Sequence, residues 1–422
     1  MSRIPTRLVA TLLVGAWLAA GSTLASAAQN DNAWVMLAGL PEQLEAPVFA
    51  LAVSPADSGL VLAGTPTGAI YRSTDRGQSW RLVHRDTHAV LTIAFNPYKP
   101  STVDAGLEAG GVLRSADGGQ TWSGQAGTEK VAGRSFGFAR SFTLVGTDAG
   151  LFVSRDATPG WTSTGLAGLS VSALAVAAGG DPSQLVAGGD ASHGNEALPL
   201  YASADGGATW NPINGITTAG NMVSALASGP PPPKSDTRPL LMGTNTALYQ
   251  SGDSGKTWQQ VTGGGILPAT DFTAMAFNSS HPDRYYAASD GGASDRGGIW
   301  STSDSGQHFA SLRSPVPAIT ALAVSADEQP TVYIATFRPA DHAVMLFAYH
   351  DTGGQPQGAA QPIPPVPSPA PATTASPGVS RNWLVGLLTG PEAPYLALGT
   401  GAAVVLVLAF AAYITRARSR RL

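Results

Sequence analysis

Ser115-Ala116-Asp117-Gly118-Gly119-Gln120-Thr121-Trp122 decides the fold, because close copies of it return along the whole chain. Three keep every marked position: Ser73-Thr74-Asp75-Arg76-Gly77-Gln78-Ser79-Trp80, Ser203-Ala204-Asp205-Gly206-Gly207-Ala208-Thr209-Trp210 and Ser251-Gly252-Asp253-Ser254-Gly255-Lys256-Thr257-Trp258. Two are worn. Ser154-Arg155-Asp156, leading to Trp161, has lost the glycine, and Thr302-Ser303-Asp304-Ser305-Gly306-Gln307-His308-Phe309 carries Phe in place of Trp. Each octet reads as a chain reversal with a strand on either side. The Asp carboxylate is expected to accept hydrogen bonds from backbone N–H groups one and two residues on, and the Gly two positions later supplies a positive φ without steric cost. The Ser or Thr before the aromatic starts a new strand, and the Trp ring packs on the neighbouring sheet while its N–H finds an acceptor. The residues Asp75, Trp80, Asp117, Trp122, Asp156, Trp161, Asp205, Trp210, Asp253, Trp258, Asp304 and Phe309 are accordingly read as structural.

The pattern S-x-D-x-G-x-[ST]-W resembles the Asp-box, or BNR, repeat. The family it points to is that of the Asp-box β-propellers, which includes sialidases, sortilin-like receptors and photosystem II assembly factor-like proteins. The resemblance implies an all-β propeller and leaves the activity open.

Reading outward from the first octet gives the repeating unit. Val48–Val53, Leu60–Gly64 and Ala69–Arg72 precede it as three short apolar strands, and Trp80–Val83 follows as a fourth. Four short strands joined by tight turns make one antiparallel blade. The first strand returns at 90–95, 135–138, 171–176, 222–227, 272–277 and 319–324, giving seven first strands against six octets. After 319–324 the chain supplies strands at 331–335 and 344–348 and then falls into Gly and Pro, so the last blade lacks a fourth strand. Residues 33–40 read as an orphan fourth strand. If they complete the last blade, residues 33–350 form a seven-bladed ring of four-stranded antiparallel blades with no free edge at the seam. The alternative is six blades with an independent cap.

The ends differ in composition. Arg3 and Arg7 precede an apolar run, and Ala25-Ser26-Ala27 offers small residues for cleavage, so residues 1–27 read as a secretory signal peptide. Arg3-Ile4-Pro5 looks like the arginine motif of sialidases, but inside a signal peptide it has no place in an active site. Residues 351–380 are a Pro-rich linker, 381–394 a juxtamembrane segment, 395–414 an uncharged apolar transmembrane helix, and 415–422 a basic tail with Arg416, Arg418, Arg420 and Arg421. Arginines on one side only place the tail in the cytoplasm and the propeller outside, as a single-pass cell-membrane protein.

Composition narrows the function. With no Cys, 12% charged residues and a net charge of −4, the exported domain must rely on core burial instead of disulfides. No basic cluster lies in the folded part, which argues against nucleic acid. The seven histidines show neither HExxH nor paired ligand spacing, so no metal or other cofactor is expected. Asp190, Asn195 and Glu196 do not match an EF-hand.

The loops joining second to third strands share a face with the blade-to-blade connections, and the octet turns lie opposite. On the first face, blade 4 carries an insertion with Asp190, His193, Asn195 and Glu196, blade 6 one with Asp290, Asp295 and Arg296, and blade 7 carries Arg338, Asp341 and His342. Polar insertions on one face of a rigid scaffold are where binding resides. The expected function is a protein- or glycan-binding or assembly module, held at the membrane by the C-terminal helix. The alternative is a glycoside hydrolase, sialidase-like or other, for which Glu108, Asp190 and Asp290 are candidate acids.

Overall fold

The structure, a computed structural model, describes residues 31–354 apart from 179–182, 191–197, 217, 219, 231–236, 263–265, 267–269 and 293–296. The expected signal peptide, juxtamembrane segment, transmembrane helix and basic tail, and the linker beyond Gly354, lie outside the described residues.

Seven four-stranded antiparallel sheets form a propeller. Blades 1 to 6 begin with innermost strands Ala50–Val53, Val90–Phe95, Gly133–Phe138, Val171–Ala178, Val223–Ser228 and Ala274–Phe277, and each adds its next three strands outward in chain order. Blade 7 is Ile319–Val324, Thr331–Arg338 and Ala343–His350, completed by the N-terminal strand Trp34–Met36. The register is Trp34↔Tyr349, Val35↔Ala348 and Met36↔Phe347.

This seam is fastened by more than its ladder. Trp34 is buried, its ring centroid lies 5.1 Å from that of Tyr349, and its Nε1 donates to the Leu312 carbonyl at 2.7 Å. Asn32 Nδ2 donates to Thr352 Oγ1 at 2.7 Å, while the Asn32 amide donates to the His350 carbonyl at 2.8 Å. Blade 7 also meets blade 1, where Thr320 Oγ1 donates to the Val48 carbonyl at 2.6 Å. The expected seven-bladed closure is thus the observed one.

The core is distributed between blades. One cluster joins Leu60, Leu62 and Ile70 of blade 1 to Ile93, Phe95 and Val103 of blade 2, with Trp122 packed on its edge. Such nearest-neighbour burial lets each blade stabilise the next. Second strands such as Val61–Gly64 are buried throughout, which explains their continuous apolar and small-residue composition.

The octet turns share one bonding pattern, and it corrects the expected reach of the Asp. Asp117 Oδ1 accepts from the amides of Gln120 and Thr121, each at 2.9 Å, three and four residues on, and Oδ2 accepts from Thr121 Oγ1 at 2.7 Å. Ser115 Oγ donates to Asp117 Oδ1 at 2.7 Å and accepts from the Gly119 amide at 2.8 Å. The longer reach follows from two consecutive left-handed residues, Gly118 at φ 70° and Gly119 at φ 81°, which wrap the chain around the carboxylate. A Cβ on Gly119 would come within 2.8 Å of Leu62 in the preceding blade, so the turn is also a close inter-blade contact.

Both worn octets are explained. In blade 6, His308 takes the hydroxyl's place, with its Nδ1 2.7 Å from Asp304 Oδ2 and its amide donating to Oδ1 at 2.9 Å. In blade 3 the strands Gly150–Arg155 and Thr158–Gly165 meet in a tight hairpin, and Asp156 departs from the pattern to pair with Lys99 Nζ at 2.7 Å. Trp161 remains in the core, with the Arg114 guanidinium 5.4 Å from its ring centroid. The other octet tryptophans are half-buried, and Trp122, Trp210 and Trp258 donate to the carbonyl of their own turn glycine at 3.0–3.2 Å.

Candidate functional site

Strand direction assigns the two faces. Innermost strands run toward the octet face, so blade-to-blade connections and second-to-third-strand loops meet at the other. There a cavity of about 970 Å³ occupies the hub.

Its wall is built by a repeated irregularity. In blades 2, 3, 4, 5 and 7 the register between first and second strands shifts at the start of the innermost strand, leaving Leu91, Arg134, Ser172, Ser224 and Thr320 as the extra residue. A bulge of this kind re-aims a side chain, and all five line the cavity, joined at the corresponding places of blades 1 and 6 by Phe49 and Thr273. The bulge therefore presents five side chains to the same space, and the equivalent positions of blades 1 and 6 add two more. Phe136, Leu174, Leu226, Met275, Val316 and Phe337 make much of the rest of the wall apolar.

The charged residues lining the cavity are Arg134, Asp190, Asp271, Asp290 and Arg338. Asp271, just before the innermost strand of blade 6, and Asp290, just after its second strand, are neighbours at one corner of the sheet, where each carboxyl acts on the other. Ser289 Oγ donates to Asp271 Oδ1 at 3.1 Å, and the Gly292 amide donates to Asp290 Oδ1 at 2.9 Å. Burial foremost, then the neighbouring Asp290 charge, raises the Asp271 carboxyl to about 7. Arg134, on blade 3, stands three blades away, and its buried Nε has no hydrogen-bond partner among the described residues.

Of the residues expected on this face, Asp190, Asp290 and Arg338 line the cavity. Arg338 is held by Asp341 through Nε–Oδ1 at 2.7 Å and Nη2–Oδ2 at 2.5 Å, so its charge is already matched. His342, at φ 54°, tops the same hairpin with its ring 6.1 Å from that of Phe337, and neither it nor Asp341 lines the cavity. His193, Asn195, Glu196, Asp295 and Arg296 lie outside the described residues. Glu108, a candidate acid for hydrolysis, does not line the cavity. Sequence reading missed Asp271 and Arg134. Their signal was positional, since Arg134 occupies a place where the other blades carry Phe, Leu, Ser or Thr. Among the described residues, no group of three His, Asp or Glu side chains could hold a metal ion.

The opposite face is braced across the hub. Arg238, at the end of the proline-bearing loop of blade 5, donates through Nη1 to the Gly229 carbonyl at 3.1 Å and through Nη2 to Tyr98 Oη of blade 2 at 3.2 Å. The Arg140 guanidinium of blade 3 lies 5.3 Å from the Tyr98 ring centroid.

The sequence matches no protein-family model and no curated protein. Among solved structures it is similar to the GH74 xyloglucanase of Xanthomonas campestris, with 17% identity, a TM-score of 0.54, and coverage of 74% of this chain and 55% of that one. It thus spans little more than half of the xyloglucanase. It is also similar to YCF48 from Cyanidioschyzon merolae, at 15% identity and TM-score 0.51 over 75% of this chain and 98% of that one. A structure of YCF48 bound to D1 peptide gives 17% identity and TM-score 0.51, with coverage of 76% and 96%. These likenesses establish the seven-bladed propeller fold.

Proposed function

We propose that this chain is a membrane-anchored, extracytoplasmic propeller that binds a segment of a partner polypeptide in its hub cavity. The observation that carries the reading is the cavity itself, whose size and apolar wall with a few placed polar groups are those of a binding pocket. The solved YCF48 complex with D1 peptide supports a peptide as ligand class on a propeller of this size. Glycoside hydrolysis fits the geometry less well. A hydrolase sets its two carboxyls roughly 5–9.5 Å apart across a cleft to admit a sugar or a water between them, whereas Asp271 and Asp290 sit at one corner of a single blade. Asp-box family membership, export and a single C-terminal span complete the reading, with the Pro-rich stretch beyond Gly354 as spacer.

The test uses the full chain in its own cells. A photo-crosslinking amino acid at Ala225, on the cavity wall, should trap one partner, and a bulky residue beside it, Leu226→Trp, should abolish the adduct. An adduct that persists with the cavity filled would defeat the assignment. Protease added to intact cells should release the propeller, and full protection until lysis would overturn the topology.

A further inference from the structure

Resting on that cavity reading, we infer that the bound segment is recognised by a lysine or arginine side chain, which seats its cation on Asp271 and Asp290 while Arg134 holds the same segment from the opposite wall.

Two blades close one corner differently. In blade 5, Asn245 follows the second strand where blade 6 has Asp290, Met222 precedes the first where blade 6 has Asp271, and Asn245 pairs with the neutral Asn221 one residue earlier. Asn245 Nδ2 donates to Asn221 Oδ1 at 2.8 Å, and Asn245 Oδ1 accepts from the Asn221 amide at 3.2 Å. In blade 6 the corresponding corner brings together two carboxyls. Burial and the neighbouring Asp290 charge raise the Asp271 carboxyl, so it holds its proton to a higher pH than an isolated carboxyl. Blade 5 closes the same corner with no ionisable group at either place. A local cost without structural return is the mark of a functional position.

The second observation is independent of the acids and comes from the bulges. At the seven equivalent cavity positions the side chains are Phe49, Leu91, Arg134, Ser172, Ser224, Thr273 and Thr320, so blade 3 alone presents a charge. Arg134 has a buried Nε without a partner among the described residues, and its blade stands across the hub from blade 6. Of the other charged residues described on the cavity wall, Arg338 is bound to Asp341, and Asp190 lies on blade 4. The cavity thus sets two carboxyls on blade 6 and a guanidinium on blade 3, with apolar side chains between them. A basic side chain entering from the mouth replaces the Asp271 proton with a charge-assisted contact to the carboxyls. Arg134 can donate to backbone carbonyls of the same segment, which fixes its direction.

Three capped pentapeptides, acetyl-Ala-Leu-X-Leu-Ala-amide with X = Lys, Gln or Glu, serve as probes of the purified full chain in detergent by calorimetric titration at pH 7.5 and low salt. The lysine peptide should bind about tenfold or more tightly than the glutamine one, and the glutamate peptide most weakly. The preference should vanish in Asp271→Asn/Asp290→Asn, while Arg134→Gln should weaken all three peptides and retain the order. Lysine binding at pH 6 should release protons, read as a heat that changes with the buffer's ionisation enthalpy. Equal affinities in the wild type, a preference that survives the double variant, or no binding of any peptide would overturn the inference. Leu226→Trp separates the two readings. If the peptides bind that variant unchanged, the cavity reading itself fails, whereas their common loss alongside equal wild-type affinities would sink only the choice of a basic side chain.

Discussion

The two faces of this propeller are built from equally regular repeats and put them to opposite use. On the octet face five turns reproduce the same bonds: the Ser or Thr hydroxyl donates to the Asp at 2.7–2.8 Å, and the amide four residues after the Asp bonds back to it at 2.9 Å in every one. At the hub mouth the bulges repeat just as faithfully in backbone, yet the side chains they present range from Leu91 through Ser172, Ser224 and Thr320 to Arg134. Constant chemistry at a repeated position marks what the fold needs. Varied chemistry at a repeated position marks what the fold leaves free for binding.

The largest effect expected from breaking this contrast lies at the seam that holds both faces in one ring. Trp34→Ala removes a buried ring and the bond to Leu312, and should cost about 3–5 kcal/mol, lowering the melting temperature of the whole domain in one transition. A separate early transition confined to blade 7 would contradict cooperative closure.

A smaller loss is expected at a single octet. Asp117→Ala deletes the acceptor for two amides and two hydroxyls in a half-exposed turn, and should cost about 1–2 kcal/mol without altering peptide binding at the hub. Thermal melts and titrations on one preparation decide it, and lost binding with unchanged melting would assign the octets a ligand role.

The smallest effect is a pH signature, and here the faces diverge in sign. Hydroxyl and amide bonds hold the octet acids Asp117, Asp205 and Asp304 down at about 2, so the stability they contribute is present above pH 4 and lost as pH falls toward 2. Asp271 is raised to about 7, so it keeps its proton in the folded state while the unfolded chain ionises, and stability falls as pH rises from about 4 to 7. Asp271→Asn should flatten that second window, leave the acid limb intact, and raise the melting temperature at pH 8. An unchanged slope between pH 4 and 7 would refute the raised Asp271 carboxyl.

What was legible from the sequence follows the same division. The octets, the seven innermost strands and the orphan strand at Trp34 could be read because turn chemistry and alternation are local signals. Asp271 could not, because its meaning depends on Asp290, brought opposite it only by the pairing of Ala274 with Ala288. Arg134 was hidden for a different reason. The one-residue shift between Gly133 and Ser135 changes which neighbour faces the hub, and simple alternation cannot register it. Blade 6's His308 was hidden too, since a ring nitrogen replacing a hydroxyl breaks the letter of the motif and preserves its bonds.

The chain enters the described ring at Asp31 and leaves it at Gly354, and these ends meet on the octet face, where Asn32 bonds to His350 and Thr352. A tether on either end therefore grips the molecule from behind and leaves the cavity mouth turned outward. Mechanical load from such a tether would pass first into Ala343–His350, a strand laddered along its full length to Thr331–Arg338 and clasped on its other edge by Trp34–Met36. Pulled from the rear, the ring bears tension on a strand paired along both edges, and the hub opposite keeps its shape.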